Sequence, residues 1–187
     1  MELRPVAFDH PDAVRLTAEI QQVYVERYGD TDRTPVDPAD FAPPRGYFTV
    51  GYLRADGPDG PTEVAVASGG WRARDGGGDP GLRDGDAEVK RMYVVPAHRG
   101  RGFARALLAE LERSAAAAGR LRVVLETGTR QPEAIALYAS AGYTPIPGFG
   151  VYRCAPESRC YAKLLPVPTG VPEVSGAVSR AADTAGT

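Results

Sequence analysis

The stretch Glu88–Leu108, EVKRMYVVPAHRGRGFARALL, decides how this chain reads. A short apolar strand runs up to Pro96, and a glycine-bearing turn follows as Arg99-Gly100-Arg101-Gly102-Phe103-Ala104. An amphipathic helix then starts at once. That order of parts makes an anion site. The first N–H groups of a helix have no acceptor inside it, and the aligned peptide dipoles add partial positive charge there. Glycine lets the backbone approach a phosphate and adopt left-handed dihedrals at little cost. Arg99, Arg101 and Arg105 add side-chain charge to the same turn.

Working outward, Gly102–Ala118 carries Phe103, Leu107, Leu108, Leu111, Ala115 and Ala118 on one helical stripe. Leu121–Thr127 reads as an apolar strand, Gln131–Ala141 as a short helix closed by Gly142, and Tyr143–Ile146 and Ser158–Leu164 as the last two strands. Upstream, Leu3–Phe8 is a strand and Asp12–Tyr28 a helix with an imperfect apolar face. The segment 29–46 is polar and proline-rich, with room for one turn at Pro38–Phe41. Tyr47–Leu53 and Val64–Arg72 form a hairpin around a turn at Gly57–Gly60, Asp75–Gly85 is a glycine-aspartate loop, and Ala87–Val95 is the strand before the turn. Alternating strands and helices predict a mixed α/β sheet covered on both faces. Residues 166–187 are dominated by proline, glycine, serine, threonine and alanine, which predicts a disordered tail beyond a domain spanning 1–165.

At 187 residues, 43% hydrophobic and 25% charged, the composition is that of one ordinary globular domain. A net charge of −2 gives no basic surface for nucleic acid. No apolar run is long enough for a membrane span, and no leader pattern opens the chain, so a cytoplasmic protein is expected. Cys154 and Cys160 have no metal or disulfide spacing and read as free thiols; no metal is expected. His10 suits a helix cap, and His98 lies at the outer edge of the turn.

Arg99-x-x-Gly102-x-Ala104 resembles the Arg/Gln-x-x-Gly-x-Gly/Ala signature of the GNAT superfamily of N-acetyltransferases. Leu125–Tyr143, LETGTRQPEAIALYASAGY, resembles that family's second block, which ends Ala-x-x-Leu-Tyr-x-x-x-Gly-Tyr/Phe. The resemblance covers residues 1–165, and its motifs lie within 86–165. It implies a mostly antiparallel mixed sheet with one splayed parallel strand pair, here Ala87–Val95 and Leu121–Thr127, and helices on both faces. It also implies acetyl-CoA as co-substrate. Backbone groups near Met92, Tyr93 and Val94 would meet the pantetheine amides. The N–H groups of Arg99, Gly100, Arg101, Gly102, Phe103 and Ala104 would meet the pyrophosphate, with Arg105 a further phosphate contact. Gln131 stands where the family often has asparagine and keeps an amide there.

Tyr138 fills the position at which many family members face a tyrosine to the coenzyme sulfur, where a phenol can protonate the leaving thiolate. The alternative is a core residue packing the second helix against the sheet. Glu88 is the first candidate for the base that deprotonates an amine acceptor. Strand alternation would put it on one face with Lys90, Met92 and Val94, and Lys90 could pair with it. Glu126 is the rival carboxylate. Acceptor choice falls to 29–46, Gly69–Arg72 and Pro147–Cys160. There Asp30, Asp32, Asp37 and Asp40 would suit a cationic amine, and Trp71 and Tyr152 could pack against it. The implied activity is acetyl transfer to a primary amine of a small molecule or protein N-terminus, by direct attack in a ternary complex. The competing reading is an acyl-CoA-binding sensor or partner module without turnover. Neither nucleic acid nor membrane is an expected partner, and a homodimer is compatible with both readings.

Overall fold

The computed structural model describes residues 1–57 and 60–166. Strands β1 (Glu2–Pro5), β2 (Gly46–Gly57), β3 (Gly60–Arg74), β4 (Asp86–Val94), β5 (Arg122–Gly128), β6 (Thr144–Ile146) and β7 (Ser158–Leu164) form one sheet in the order β1-β2-β3-β4-β5-β7-β6. Neighbours are antiparallel except β4 and β5, which run parallel. The helices are α1 (Pro11–Tyr28), α2 (Phe103–Ala117) and α3 (Pro132–Ser140). The β2–β3 hairpin is longer than the apolar pattern implies, because its outer half is a solvated ribbon with mostly exposed side chains. Residues 167–187, read from composition as a tail, lie outside the described residues.

Local signals account for the helix ends. The His10 side chain accepts the Asp12 N–H at 3.2 Å, Pro11 opens α1, and Gly29 closes it at φ 81. α1 buries Ala13, Leu16 and Ile20 in a cluster with Phe41, Phe48, Val50, Ala65 and Tyr93. On the opposite face, α2 sets Leu107, Leu108, Leu111 and Ala115 against Trp71, Val89, Val123 and Leu125, and α3 adds Tyr138. Each fully buried leucine in that stripe contributes about 1.5–3 kcal/mol of transfer free energy. Trp71 is thus core rather than acceptor wall, since it is 2% exposed and its indole N–H donates to Ser114 Oγ at 2.8 Å.

β4 is bulged, and this corrects the strand alternation expected from sequence. Its register with β3 runs Ser68↔Tyr93 and then Gly70↔Lys90, two steps along β3 against three along β4. The extra residue falls at Arg91–Met92, where Arg91 sits at φ 56, a left-handed conformation that costs a non-glycine residue about 1–3 kcal/mol. The bulge exchanges the faces. Ala87 and Val89 before it, and Met92 and Val94 after it, all point into the α2 cluster, whereas Tyr93 points to α1. Met92 and Val94 therefore do not share a face with Glu88.

The closed end of the parallel pair is clipped by a buried fork. Arg122 donates through Nε and a terminal nitrogen to the two Asp86 oxygens at 2.8 and 2.6 Å, and Asp86 also accepts the Arg83 N–H at 2.8 Å. Asp86 and Arg122 are direct register partners and are 1% and 6% exposed. Asp86→Ala would strand a buried guanidinium. It should cost about 3–5 kcal/mol in urea unfolding, and a paired Asp86→Leu, Arg122→Met variant should recover much of the loss. A single variant that unfolds with the parent would show that the fork contributes no net stability.

Candidate active site

β4 and β5 pair only from Asp86↔Arg122 to Val89↔Leu125 and then part. Beyond Val89, β4 stays bonded to β3 alone, and β5 stays bonded to β7 as far as Gly128↔Ser158. The inner edge of β4 from Lys90 onward thus keeps unclaimed backbone donors and acceptors, which an extended amide-bearing chain can take up. The wedge holds a cavity of about 450 Å³. Its walls are Lys90, Arg91 and Met92 of β4, Glu126, Thr127 and Gly128 of β5, Gln131 and Tyr138 at α3, Tyr24 and Tyr28 of α1, and the loop residues 30–33 and Tyr152. A Cβ on Gly128 would overlap the Tyr28 hydroxyl, so glycine is required for α1 to close over β5. Gln131 sits just before α3 and donates weakly to that same hydroxyl, at 3.4 Å.

The glycine turn lies beyond the open end of β4. A short 3₁₀ turn, Pro96–His98, leads into it, and Gly100 and Gly102 adopt φ 72 and 78. The hydrogen-bond ladder of α2 begins where Ala106 N–H donates to Gly102 C=O at 3.1 Å. Among the described residues, no acceptor takes the N–H groups of Gly100, Arg101, Gly102, Phe103, Ala104 or Arg105. That is a cradle of donors of the kind phosphates occupy. The arginines play different parts around it. Arg99 departs from expectation: its N–H donates to Pro96 C=O at 3.2 Å and is not free for a pyrophosphate, and its Nε turns back to Val94 C=O at 3.0 Å, which fixes the strand end. Arg101 stacks over Phe103 at 4.9 Å, while Arg105 donates to Ser140 Oγ at 2.8 Å and ties α2 to α3.

Tyr138 lies at the wedge, 7% exposed, with its ring against Tyr143 and Tyr161 at centroid distances of 5.7 and 6.4 Å. Burial pushes its pKa up to about 12, so the phenol keeps its proton at neutral pH. Its core packing and its place on the cavity wall coexist.

The two carboxylates differ. Burial alone would raise the Glu88 pKa, but Lys90, Arg72 and Arg74 outweigh it and hold the group ionised below its ordinary range. Arg72 Nε reaches Glu88 at 2.8 Å, and Arg74 and Lys90 each reach it at 3.3 Å. Glu88 does not line the larger cavity. Glu126 does, and burial raises its pKa, with Asp32 and Glu88 adding their negative charge against Lys90 and the hydrogen bond that Ser158 Oγ donates at 2.7 Å. A second cavity of about 190 Å³ adjoins Glu126 between Thr34–Pro35 and Gly150–Val151, floored by Arg72, Arg74 and Glu88.

The structure brings together Met92, Gln131 and Tyr138 from the expected set, places residues 99–105 at the end of the same strand, and sets Glu88 apart. The sequence reading missed Tyr24 and Tyr28, whose spacing on one helix face was the available signal, and it missed the buried Arg91–Asp32 pair, for which there was none. Both histidines and both cysteines lie off the cavity wall. Among the described residues, no cluster of acidic, His or Cys side chains could hold a metal, and no helix is long and apolar enough to cross a membrane.

The comparisons with known proteins agree with this geometry. An IAA acetyltransferase of Azospirillum brasilense is 45% identical over 81 residues, which are 43% of this chain and 53% of that protein. Human N-acetyltransferase 8 is 38% identical over 65 residues, 35% of this chain and 29% of that one. The matched stretches thus span about half or less of these relatives. A solved acyl-CoA N-acyltransferase from Klebsiella pneumoniae superposes at a TM-score of 0.65 with 27% identity, covering 88% of this chain and 97% of its own. The GNAT domain of S. lividans PAT shares the fold at a TM-score of 0.60 and 23% identity, covering 87% of this chain and 89% of its own. The family model for the acetyltransferase (GNAT) family matches residues 14–143, the span that contains the splayed strands, the bulge, the glycine turn and Tyr138. This chain belongs to the GNAT family of acetyltransferases.

Proposed function

We propose that the chain is an N-acetyltransferase that moves an acetyl group from acetyl-CoA to a primary amine by direct attack in a ternary complex. The observation that carries this reading is the meeting, on one cavity wall, of a carboxyl group with a raised pKa and a phenol that stays protonated. Acetyl-CoA supplies the thioester. The β4 edge from Met92 to Val94 would pair with its amides, Gln131 would border it at α3, and the N–H groups of the 100–105 turn would hold its pyrophosphate. An acceptor amine is mostly protonated near neutral pH, so a base must first take its proton. Glu126 has that role in preference to Glu88, because a carboxylate saturated by three cations is a poor proton acceptor. Tyr138 then donates its hydroxyl proton, or a strong hydrogen bond, to the departing sulfur. No cysteine lies on the cavity wall to carry a covalent intermediate, which favours direct transfer.

Free thiol release across a panel of amines tests this. Tyr138→Phe should lower kcat at least about tenfold, since positioned proton transfer contributes about 10²–10⁴-fold and water can substitute in part. Acetyl-CoA affinity should barely move, the pattern of an interaction felt mainly in the transition state. Full turnover in Tyr138→Phe would make the tyrosine a packing residue only. Tight acetyl-CoA binding with no thiol release from any amine would favour a binding module without turnover.

A further inference from the structure

The carboxylates gathered ahead of β2 are already engaged. Asp30 pairs with Arg33, Asp32 with Arg91 and Asp40 with Arg45, while Asp37 caps the Ala39 N–H. They leave little negative charge to select a purely cationic acceptor.

The smaller cavity sets two arginines, Arg72 and Arg74, against two carboxylates, Glu88 and Glu126. Arg72, Arg74 and Lys90 all converge on Glu88. Arg72 also donates to Pro35 C=O at 2.9 Å, and Lys90 to Thr34 Oγ1 at 3.4 Å. Arg74 is different. Among the described residues its one polar contact, at 3.3 Å, is to the Glu88 oxygen that Arg72 already holds at 2.8 Å. Its side chain is 30% exposed, so it can be reached from the cavity. A guanidinium offers five N–H donors in a planar fork that matches a carboxylate, and most of those on Arg74 are unclaimed. Pro35 and Val151 give the cavity apolar walls. Glu126 lines both cavities, so a molecule lodged in the smaller one reaches the proposed base.

We infer that the smaller cavity is an anion subsite for the acceptor: the amine substrate carries a carboxylate, which Arg74 holds while the amino group lies at Glu126. This rests on the reading that Glu126 receives the acceptor amine. It narrows the acceptor to an aminocarboxylate, such as an amino acid or an amino-terminated short acid.

Matched pairs that differ only by the carboxylate test it: β-alanine with ethylamine, 4-aminobutyrate with propylamine, and phenylalanine with phenethylamine. Thiol release is compared per unprotonated amine. In at least one pair, kcat/KM should favour the carboxylate by about tenfold or more, the size of one charge-assisted hydrogen bond. Arg74→Gln should bring that ratio close to one, through KM, and Arg74→Lys should keep part of it. Equal use of both members in every pair, or a preference that survives Arg74→Gln, overturns the subsite while leaving acetyl transfer in place. If no member is turned over, calorimetry on acetyl-CoA-saturated protein separates the two ideas. Carboxylate binding that Arg74→Gln abolishes keeps the subsite and removes acetyl transfer to these amines, and no such binding overturns the subsite.

Discussion

Gly102→Glu should abolish acetyl-CoA binding in a protein that still folds. Gly102 is the N-cap of α2 at φ 78, and a Cβ there would meet nothing within 4 Å. A side chain therefore has room, and the penalty for folding is the left-handed backbone, about 1–2 kcal/mol. Ligand binding suffers far more. The new carboxylate would sit among the free N–H groups of residues 100–105 and take them for itself, as acidic groups do at helix N-termini. It would also stand against the pyrophosphate, where two like charges about 4 Å apart at an effective dielectric near 20 repel by about 4 kcal/mol, or roughly a thousandfold in affinity. Gly102→Ala separates the causes, because it carries the same backbone strain without the charge and should bind with only a modest loss. Calorimetry on both variants reads the difference. Undiminished acetyl-CoA affinity in folded Gly102→Glu would move the pyrophosphate away from this turn.

The parts of the site that are local in sequence were legible there. The glycine turn needs only a strand end, two glycines with positive φ and a helix start, and all of these lie within Glu88–Leu108. The core stripe of α2 follows from helical spacing, and the splayed parallel pair followed from resemblance to a family. What stayed hidden depends on contacts across the sheet. Nothing in the letters KRM marks a bulge, so simple alternation carried Met92 and Val94 to the wrong face. The environment of Glu88 is set by Arg72, its partner across the ladder, and by Arg74 one turn of alternation further on. Sequence proximity revealed only Lys90. The neutralisation of Asp32 by Arg91 likewise joins residues far apart in the chain, and it offsets one of the four negative charges that the 29–46 segment has on paper. Glu126 could be noticed in the sequence, but the Arg72 and Arg74 contacts that set Glu88 apart from it could not.

That separation makes Glu126→Gln the most diagnostic substitution for the chemistry. Glutamine keeps the size and can still accept the hydrogen bond from Ser158 Oγ, so the wall of the cavity is preserved. It cannot take a proton from an ammonium group. If Glu126 is the general base, kcat/KM for an amine should fall by about 10²–10⁴-fold at neutral pH, with acetyl-CoA affinity unchanged. The pH dependence gives a second signature. A base works only when deprotonated, so wild-type activity should be lost as pH falls through the Glu126 pKa, which burial places above the ordinary glutamate value of about 4.3. The variant should lose that acid limb. Stability should move the other way. A carboxyl whose folded pKa is raised binds its proton more tightly in the folded state, so wild-type stability rises as pH falls from above that pKa toward the unfolded value. Glutamine mimics the neutral form and should melt no lower than the parent at neutral pH. Glu88→Gln should do the reverse, leaving Arg72, Arg74 and Lys90 without their shared carboxylate and lowering the melting temperature. If Glu126→Gln retains full turnover and the same acid limb while Glu88→Gln removes them, the proton passes through Glu88 despite its cations, and the base assigned here is the wrong one.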